Sequence, residues 1–147
     1  MRDLNITIRP MVKEDYDEIF AMWQITTKRA LSEADSRESI AFYLDRNPGM
    51  SQVALADGKI VGTVLCGHDG RRGFIHHMAV LPEYRRHQIG KRLAEKGLEA
   101  IGAAGIAKTH IFCYTDNSLG QSFWRAMRWK KRDDVFVFSC ETKRSDT

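Results

Sequence analysis

Two Asp-Gly pairs, Asp57-Gly58 and Asp69-Gly70, constrain the fold more than any other feature of this sequence. The runs around them are rich in valine, isoleucine and leucine: SQVALA, KIVGTVLCGH and RRGFIHHMAVL. Aspartate and glycine tolerate the left-handed backbone of a tight hairpin turn, so each pair predicts two antiparallel strands joined by a hairpin. Because the two hairpins share their middle strand, residues 51–81 are predicted to form a three-stranded antiparallel meander.

The segments on either side of this meander alternate between helix and strand. The predicted elements are a strand at 4–10, helices from Lys13 and from Ser36, a helix from Ile89, a strand at 108–114, a helix at 117–127 and a final strand at 134–141. A strand, a helix and a strand in succession from Phe74 to Tyr114 predict a right-handed crossover between parallel strands. The predicted fold class is therefore α/β, with a mixed sheet and the element order β-α-α-β-β-β-α-β-α-β.

Length and composition indicate a single domain, residues 1–147. A chain of 147 residues with 43% hydrophobic residues is large enough to bury a core. No apolar run approaches the roughly 18 residues of a membrane span, and the N-terminus MRDLNITIRP lacks the apolar core of a secretory signal. These features predict a cytoplasmic protein without a membrane partner. The widely spaced Cys66, Cys113 and Cys140 argue against a disulfide framework or a zinc site and are predicted to be reduced thiols.

Charge is distributed unevenly along the chain. Residues 1–58 carry seven Lys and Arg against ten Asp and Glu, a net charge of −3. Residues 81–132 carry eleven against four, a net charge of +7. Such an asymmetry suits an anionic partner bound by the C-terminal half. The alternative is a basic surface that is merely solvated.

The stretch VLPEYRRHQIGKRLAEKGLEAI, residues 80–101, joins the last strand of the meander to a helix. The first turn of a helix exposes unpaired backbone N–H groups and about half a positive charge from the macrodipole. Four cationic side chains surround that terminus: Arg85, Arg86, Lys91 and Arg92. The junction therefore predicts a pocket for phosphate oxygens. An ordinary turn with surface arginines is the alternative.

The same stretch resembles the acetyl-CoA-binding motif of the GNAT superfamily of N-acetyltransferases, Q/R-x-x-G-x-G/A. Arg85 takes the first position and Gly90 the last, while Gln88 stands where the family has its first glycine. The predicted element order also resembles this family over nearly the whole chain. The segment TDNSLGQSFWRAMRW resembles a later family segment, in which an asparagine opens a helix that ends in Phe-Tyr and then Gly-Phe.

The resemblance implies a GNAT fold and a binding site for acetyl-CoA, with no metal. In this family strands β4 and β5 splay apart, which leaves main-chain groups free to pair with the pantetheine arm. The cofactor-binding residues implied are Met78, Ala79 and Val80 for the arm, Arg85 together with the backbone of Arg86, His87, Gln88, Ile89, Gly90 and Lys91 for the pyrophosphate, and Asn117 for the arm or its far end.

The resemblance also implies direct attack of a neutral amine on the thioester. The candidates for the general base are His76 and His77, of which only one is expected to face the cleft because adjacent strand residues point to opposite faces. Glu83 is a third candidate. Tyr114 is a candidate acid, with a core tyrosine as the alternative. Cys113 as an acetyl carrier is disfavoured, because a thiol in an apolar strand behaves as a small hydrophobe.

Three residues depart from the family pattern. Gln88 brings a Cβ where glycine would let the backbone close on phosphate. Arg128 replaces the glycine that commonly follows the last helix. Trp124 stands where many members place a tyrosine that protonates the departing thiolate, and an indole cannot serve as that acid.

The sequence therefore predicts an acetyl-CoA-dependent N-acetyltransferase that acts on a small-molecule or peptide amine and has no nucleic-acid partner. Seven acidic residues on the first two helices, which border the substrate mouth in this family, suit a cationic amine or decorate the helix dipoles: Glu14, Asp15, Asp17, Glu18, Glu33, Asp35 and Glu38. One rival is a catalytically silent acetyl-CoA-binding regulatory domain. A second is a nucleic-acid-binding module that uses residues 85–96 and 125–132. The oligomeric state stays open, with a homodimer as one option.

Overall fold

A computed structural model of the chain describes residues 5–142. Its strands and helices are β1 (Ile6–Pro10), α1 (Tyr16–Thr26), α2 (Arg37–Arg46), β2 (Gln52–Ala56), β3 (Lys59–His68), β4 (Gly73–Val80), α3 (Ile89–Ala103), β5 (Thr109–Ile111) and α4 (Ser118–Ala126). Short 3₁₀ turns at Lys13–Asp15, Lys28–Ala30, Glu33–Asp35 and Pro82–Tyr84 connect them. The chain divides into two compact units, with the boundary between Phe112 and Cys113. No helix within 5–142 has the length and hydrophobicity that crossing a bilayer requires.

The first unit contains one mixed five-stranded sheet in the order β1-β2-β3-β4-β5. The first four strands are antiparallel to their neighbours, and β4 and β5 are parallel. Both predicted hairpins form, with Asp57 and Gly58 at φ values of 51° and 84° and Gly70 at 90°. The predicted mixed α/β sheet is therefore confirmed. Of the strand predicted at 4–10, residue 4 lies outside the described residues.

Helices α1 and α2 cover the same face of the sheet. Trp23 of α1 is fully buried, and its indole N–H donates to Thr63 Oγ1 on β3 at 2.9 Å. Tyr43 of α2 packs on Gly67 of β3, where a Cβ would lie 2.6 Å from the tyrosine oxygen. Because residues 63 and 67 have the same parity on one strand, both helices pack on one side of it.

Helix α3 covers the opposite face. Leu93 of α3 packs on Gly62 of β3, where a Cβ would lie 3.0 Å from Leu93 Cδ1. One turn further along the helix, Gly97 packs directly on Cys66. Leu93 and Cys66 are both fully buried. The glycines at these crossings allow a close approach of helix and sheet, so the core is formed on both faces of β3.

Local sequence signals set both ends of α2, and its start follows Ser36 as predicted. Ser36 precedes the helix, and its side chain accepts a hydrogen bond from Ser39 N at 3.1 Å. Such an N-cap satisfies a backbone donor that the first turn leaves unpaired. The helix ends at Arg46, and the side chain of the following Asn47 accepts from His68 N at 3.1 Å. This contact ties the end of α2 to the end of β3.

Two predicted strands differ from the structure. The segment 108–114 forms a strand only over Thr109–Ile111, and its residues are half-buried rather than fully buried. The predicted final strand at 134–141 does not form, and the side chains of Phe136 and Phe138 are 89% and 93% exposed. A strand depends on hydrogen bonds from a neighbour, so an alternating pattern alone does not create one.

The second unit is built around α4. Asn117 caps this helix by accepting a hydrogen bond from Gly120 N at 2.9 Å, which confirms the predicted start of the helix at an asparagine. Trp124 is buried and its ring lies 4.8 Å from Phe123 and 4.5 Å from Trp129. Arg128 follows the helix with a φ of 67°, the left-handed conformation that glycine adopts most easily.

Candidate active site

One edge of β4 is open over its C-terminal half. Strand β5 pairs with β4 only at Gly73, Phe74 and Ile75 and ends at Ile111, whereas β4 continues to Val80. From His76 to Val80 this edge has no strand partner within residues 5–142. The predicted opening between β4 and β5 is therefore present.

The main-chain groups of Met78 and Val80 point to this open edge. Leu81 N donates to Val61 O on β3 at 2.9 Å, so Leu81 and Ala79 direct their main-chain groups towards β3. Because main-chain groups alternate in direction along a strand, those of Met78 and Val80 point away from β3 and towards the open edge. Arg85 folds back here, and its Nε donates to Val80 O at 3.1 Å. Of the three residues predicted for the pantetheine arm, Met78 and Val80 thus direct main-chain groups to the open edge, with the Val80 carbonyl already bonded to Arg85, whereas Ala79 does not.

The open edge leads to the N-terminus of α3. The first intrahelical bond here runs from Arg92 N to Gln88 O at 3.1 Å, so the N–H groups of Ile89, Gly90 and Lys91 belong to the unpaired first turn. Ile89 and Gly90 are buried, which fixes the turn against the core. Arg85, Arg86, His87, Gln88 and Lys91 are exposed. The predicted phosphate-binding residues therefore form one exposed, positively charged turn.

Gln88 occupies a backbone conformation that favours glycine. Its φ and ψ are 61° and 20°, and Arg86 two residues earlier has a φ of 68°. A left-handed residue other than glycine costs about 1–2 kcal/mol, because its Cβ approaches the following carbonyl oxygen. Gln88 thus keeps the left-handed backbone conformation that glycine adopts easily, at the cost of backbone strain.

Replacing Gln88 with glycine is expected to raise the free energy of unfolding by about 0.5–1 kcal/mol. The relief of left-handed strain exceeds the roughly 0.4–1 kcal/mol that glycine gains in the unfolded chain. Chemical denaturation of Gln88→Gly measures this change. His87→Gly is the matched control, because His87 has no positive φ and the substitution only loosens the loop. An equal destabilisation of both variants would contradict the strain at Gln88.

A β-bulge places His76 and His77 on the same face of the sheet. His76 pairs with Leu65 and Ala79 with Thr63, so two residues of β4 face one residue of β3. His77 has a φ of 47°, and its carbonyl accepts from Thr63 Oγ1 at 2.9 Å. The expectation that the two histidines point to opposite faces is therefore wrong, because the bulge interrupts the alternation of side chains. That only one of them faces the cleft stays a prediction.

His77 is the more constrained of the two histidines. Its ring stacks on Trp23 with centroids 4.1 Å apart and an interplanar angle of 15°. Its Nδ1 lies 2.8 Å from Thr27 Oγ1, and its Nε2 lies 3.0 Å from Asp35 Oδ1. The side chains of His77 and Asp35 are 5% and 8% exposed. Both ring nitrogens thus have partners within the protein.

His76 lies in an aromatic setting beside the open edge. Its ring is 6.4 Å from Tyr43 of α2 and 6.4 Å from Phe112, with edge-on geometry in both cases. Burial and, to a smaller extent, the neighbouring His77 lower the pKa of His76 from its ordinary value. A lowered pKa keeps the imidazole neutral at neutral pH, which is the form in which a ring nitrogen can accept a proton.

The other two catalytic candidates lie elsewhere. Glu83 belongs to the 3₁₀ turn Pro82–Tyr84, beyond the end of β4, and its side chain is exposed. Tyr114 follows β5 rather than ending it, and it is 44% exposed, so the alternative of a core tyrosine is wrong. Its carbonyl accepts from Asn117 N at 3.0 Å. Asn117 and Trp124 also belong to the second unit, the former as the cap of α4 and the latter in its core.

Several of the acidic residues at the start of the chain support the fold. Burial raises the pKa of Asp15, but the Arg9 guanidinium and the Val12 N–H outweigh it and hold that pKa below its ordinary value. Glu18 accepts a hydrogen bond from Ile60 N at 2.8 Å. Asp35 bonds to His77. These three carboxylates therefore have structural partners in addition to their effect on surface charge.

Of the three cysteines, Cys66 is buried as a packing residue, Cys113 is half-buried just beyond β5, and Cys140 is exposed. Cys66 is fully buried on β3, and burial raises its pKa to about 12. Burial also raises the pKa of Cys113. A thiol with a raised pKa is a poor nucleophile at neutral pH, because the thiolate is the reactive form.

Thr27 and Asp35 also contact His77, although the sequence predicted no catalytic residue in the segment between α1 and α2. Thr27 follows the last residue of α1, and Asp35 ends the 3₁₀ turn Glu33–Asp35. Their partner His77 is 50 and 42 residues away in the chain. Ser32 and Asp35 form a capping box, with Ser32 N donating to Asp35 Oδ2 at 3.1 Å. This S-x-x-D pattern was the one local signal in the sequence for a fixed carboxylate.

The chain is similar in sequence and in fold to known acetyltransferases. The model of the acetyltransferase (GNAT) family matches residues 11–127. Acetyltransferase SG1711 of Sodalis glossinidius is 25% identical over 130 residues, which cover 88% of this chain and 91% of that protein. The PaiA N-acetyltransferase of Thermoplasma acidophilum, solved with coenzyme A, has a TM-score of 0.75 at 21% identity, over 89% of this chain and 93% of that one. AAC(6')-Iy, solved with the bisubstrate analogue CoA-S-monomethyl-acetylneamine, has a TM-score of 0.75 at 17% identity, over 94% and 99%.

The two solved structures share the fold of this chain, and the sequence comparisons define its class. It is an acyltransferase, and the donor in its family is acetyl-CoA. The chain belongs to the acetyltransferase (GNAT) family, whose model covers most of its length.

Proposed function

We propose that this chain moves the acetyl group of acetyl-CoA to a primary amine, by direct attack of the amine within a ternary complex. The observation that carries the proposal is the open edge of β4 from His76 to Val80, which leads to the N-terminus of α3. The main-chain groups of Met78 and Val80 fit a pantetheine arm that adds to the sheet as a further strand. Both units are proposed to form one domain, since the family match spans the boundary between them.

The turn at the start of α3 is proposed to hold the pyrophosphate. Backbone N–H groups from Arg86 to Lys91 supply the donors, and the helix dipole adds a favourable field. Arg85 reaches the same edge of β4 through its bond to Val80 O. Its guanidinium and those around it attract the phosphates without fixing their geometry. The positive charge of residues 81–132 is thereby explained by a nucleotide-containing substrate.

The chemistry requires a neutral amine and a donor for the oxyanion that forms at the thioester carbonyl. A lysine amine with a pKa near 10.4 is neutral less than a thousandth of the time at pH 7, so a base matters most for such an acceptor. We propose that a main-chain N–H near Val80 donates to the oxyanion, an effect worth about 10²–10³-fold in other enzymes. The base is proposed to come from the two histidines that the bulge brings to one face.

The test combines binding and turnover. Calorimetry with coenzyme A and a thiol-release assay with acetyl-CoA are run against aminoglycosides, polyamines, amino acids and peptides with free N-termini or lysines. We expect saturable binding and release of coenzyme A with at least one amine. Direct attack further predicts intersecting initial-rate lines, whereas an acetylated enzyme would give parallel ones.

Other results would favour the two rival functions. Binding of coenzyme A without turnover on any amine would indicate a regulatory acetyl-CoA-binding domain, which is the function that Trp124 in place of a tyrosine favours. Salt-sensitive binding of DNA or RNA that survives saturating coenzyme A would indicate a nucleic-acid-binding module. Absence of coenzyme A binding would overturn the proposal altogether.

The setting proposed for this activity is the cytoplasm, where acetyl-CoA and reduced thiols occur together. The acceptor is proposed to be a small molecule or a peptide, without a nucleic-acid or membrane partner. AAC(6')-Iy, which shares the fold, was solved with an analogue derived from an aminoglycoside, so aminoglycosides belong in the amine panel. A homodimer is the oligomeric state to test, by light scattering.

A further inference from the structure

Three side chains form a hydrogen-bonded series beside the bulge of β4. Thr27 Oγ1 lies 2.8 Å from His77 Nδ1, and His77 Nε2 lies 3.0 Å from Asp35 Oδ1. Trp23 stacks on the imidazole at 4.1 Å and holds its plane, while Tyr16 donates from its hydroxyl to Asp35 O at 2.7 Å. The order is hydroxyl, imidazole, carboxylate.

The partners define the proton positions in this series. An ionised carboxylate only accepts hydrogen bonds, so His77 Nε2 carries a proton and donates it to Asp35. In the neutral ring Nδ1 then has a free lone pair, and the Thr27 hydroxyl donates to it. The hydroxyl oxygen of Thr27 keeps its own lone pairs for a further donor. Neutral His77 is therefore already arranged to draw the proton from Thr27.

Burial restricts solvent access to the side chains of His77 and Asp35. The side chains of His77 and Asp35 are 5% and 8% exposed, and the imidazole is covered by Trp23. Thr27 is half-buried and lies at the end of α1, where the chain turns away from the helix. Nδ1 of His77 is bonded to Thr27 Oγ1, so a proton that reaches Nδ1 comes from the Thr27 hydroxyl.

The location of the series matches the reacting end of the proposed substrate. The phosphate-binding turn follows the C-terminal end of β4, and the open edge runs back from Val80 to His76. At about 3.3 Å per residue, an extended arm along this edge reaches the bulge at His77 after roughly 10 Å. The thioester end and the exposed end of the series are thus expected to lie on the same side of the molecule.

We propose that Thr27, His77 and Asp35 form a relay that deprotonates the acceptor amine, with Thr27 as the group that touches the substrate. The amine N–H⁺ gives its proton to Thr27 Oγ1 while the Thr27 hydroxyl proton moves to His77 Nδ1. The imidazolium that results is stabilised by Asp35, and the threonine hydroxyl is restored. The proton later returns through Thr27 to water or to the departing thiolate, which becomes the free thiol. This inference rests on the proposed function and adds Thr27 and Asp35 to its residues.

The charged and titratable groups around His77 support this direction of proton transfer. Asp35 faces Nε2 and stabilises the imidazolium, whereas His76 on the same strand opposes a second positive charge. Burial keeps His76 neutral by lowering its pKa, which limits that opposition. Tyr16 is held by Asp35 O, and burial raises its pKa, so it stays uncharged over the working range.

The test uses the matched pair Thr27→Val and Thr27→Ser, assayed with the best amine of the panel. Valine keeps the shape and removes the hydroxyl, whereas serine keeps the hydroxyl. At pH 7 we expect Thr27→Val to lose about tenfold to hundredfold in kcat/KM, within the usual range for general-base catalysis. We expect Thr27→Ser to stay within roughly threefold of the wild type. The loss is expected to shrink above the pKa of the amine, where the neutral amine needs no base. A purely structural role would lower the melting temperature without changing the pH profile.

The outcomes separate this inference from the proposed function. Wild-type kcat/KM in Thr27→Val at pH 7, with coenzyme A binding intact, would overturn the relay and leave the acetyltransferase standing. An inactive wild type would overturn the proposed function and the relay with it. In the active enzyme, ¹⁵N NMR of the imidazole gives an independent check of the relay. The relay requires His77 to be the Nε2–H tautomer when neutral. The Nδ1–H tautomer would contradict it.

Discussion

Lys91→Pro is expected to raise the Kd for coenzyme A by about 10–100-fold, whereas Lys91→Ala raises it only a few-fold. Lys91 is the third residue of α3, so its N–H has no intrahelical partner and is one of the proposed pyrophosphate donors. Proline is tolerated in the first turn of a helix but removes that N–H. A hydrogen bond to a charged group contributes roughly 1.5–3 kcal/mol, which corresponds to about 10–150-fold in affinity.

The alanine variant separates the backbone from the side chain. Both substitutions remove the lysine charge, which is exposed and therefore worth little in affinity. Gly90 precedes position 91 and lacks the Cβ that usually clashes with a following proline, so the turn is expected to keep its shape. Circular dichroism and the melting temperature check that shape. Equal affinity of the two variants, measured by calorimetry, would show that the Lys91 N–H does not hold the phosphates.

The parts of the fold that local chemistry determines were predictable from the sequence. The hairpins at Asp57-Gly58 and Asp69-Gly70 follow from turn residues that tolerate left-handed backbone, and they fixed the meander. Ser36 fixed the start of α2 in the same way. The turn at the start of α3 was recognisable because its cationic residues and its motif lie within one short stretch. In each case the signal and the structure occupy the same few residues.

The relation between the two histidines was not predictable, because the bulge depends on contacts far away in the sequence. FIHHMAV is an ordinary strand pattern, and nothing in it marks His77 for a positive φ. Thr63 holds the His77 carbonyl and also accepts from the Trp23 indole, so α1 and β3 together stabilise the bulge. The contacts of Thr27 and Asp35 with His77 were not predictable for the same reason, since both residues reach His77 from an irregular segment.

The final strand is a feature that the sequence predicted and the structure lacks within residues 134–141. Residues 134–141 alternate as a strand does, but a strand also requires a neighbour whose N–H and C=O groups are free. In the structure Phe136 and Phe138 are almost fully exposed. Pattern alone therefore overestimated the sheet at this end of the chain.

Gly97→Ala is expected to lower the free energy of unfolding by about 1–2 kcal/mol, although alanine favours helices. A Cβ at Gly97 would overlap the sulfur of Cys66, which is fully buried and has little room to move. Overpacking of a core costs about 1–3 kcal/mol. That cost exceeds the roughly 0.8–1.0 kcal/mol that alanine gains over glycine inside a helix. Denaturant unfolding measures the difference.

Gly102→Ala on the same helix is the control for helix propensity. A Cβ at Gly102 would meet nothing within 4 Å, so this substitution is expected to be neutral or to stabilise by up to about 1 kcal/mol. Opposite signs for the two glycines would assign the effect at Gly97 to packing against β3. Equal effects at both positions would contradict the close crossing of α3 over β3.

The effect of Gly97→Ala is expected to change sign when Cys66 is also replaced by alanine. The Cys66 Cβ would lie 3.5 Å from the new Cβ, an ordinary contact, so only the sulfur opposes the substitution. In the Cys66→Ala background alanine at position 97 therefore gains helix propensity without overlap and fills part of the space that the sulfur leaves. A four-variant cycle of unfolding free energies measures the coupling, which we expect to be about 1–3 kcal/mol. Additive effects would mean that α3 and β3 lie further apart than the structure shows. Because the packing of α3 on β3 also positions the first turn of α3, the geometry of the proposed pyrophosphate site would then be in doubt.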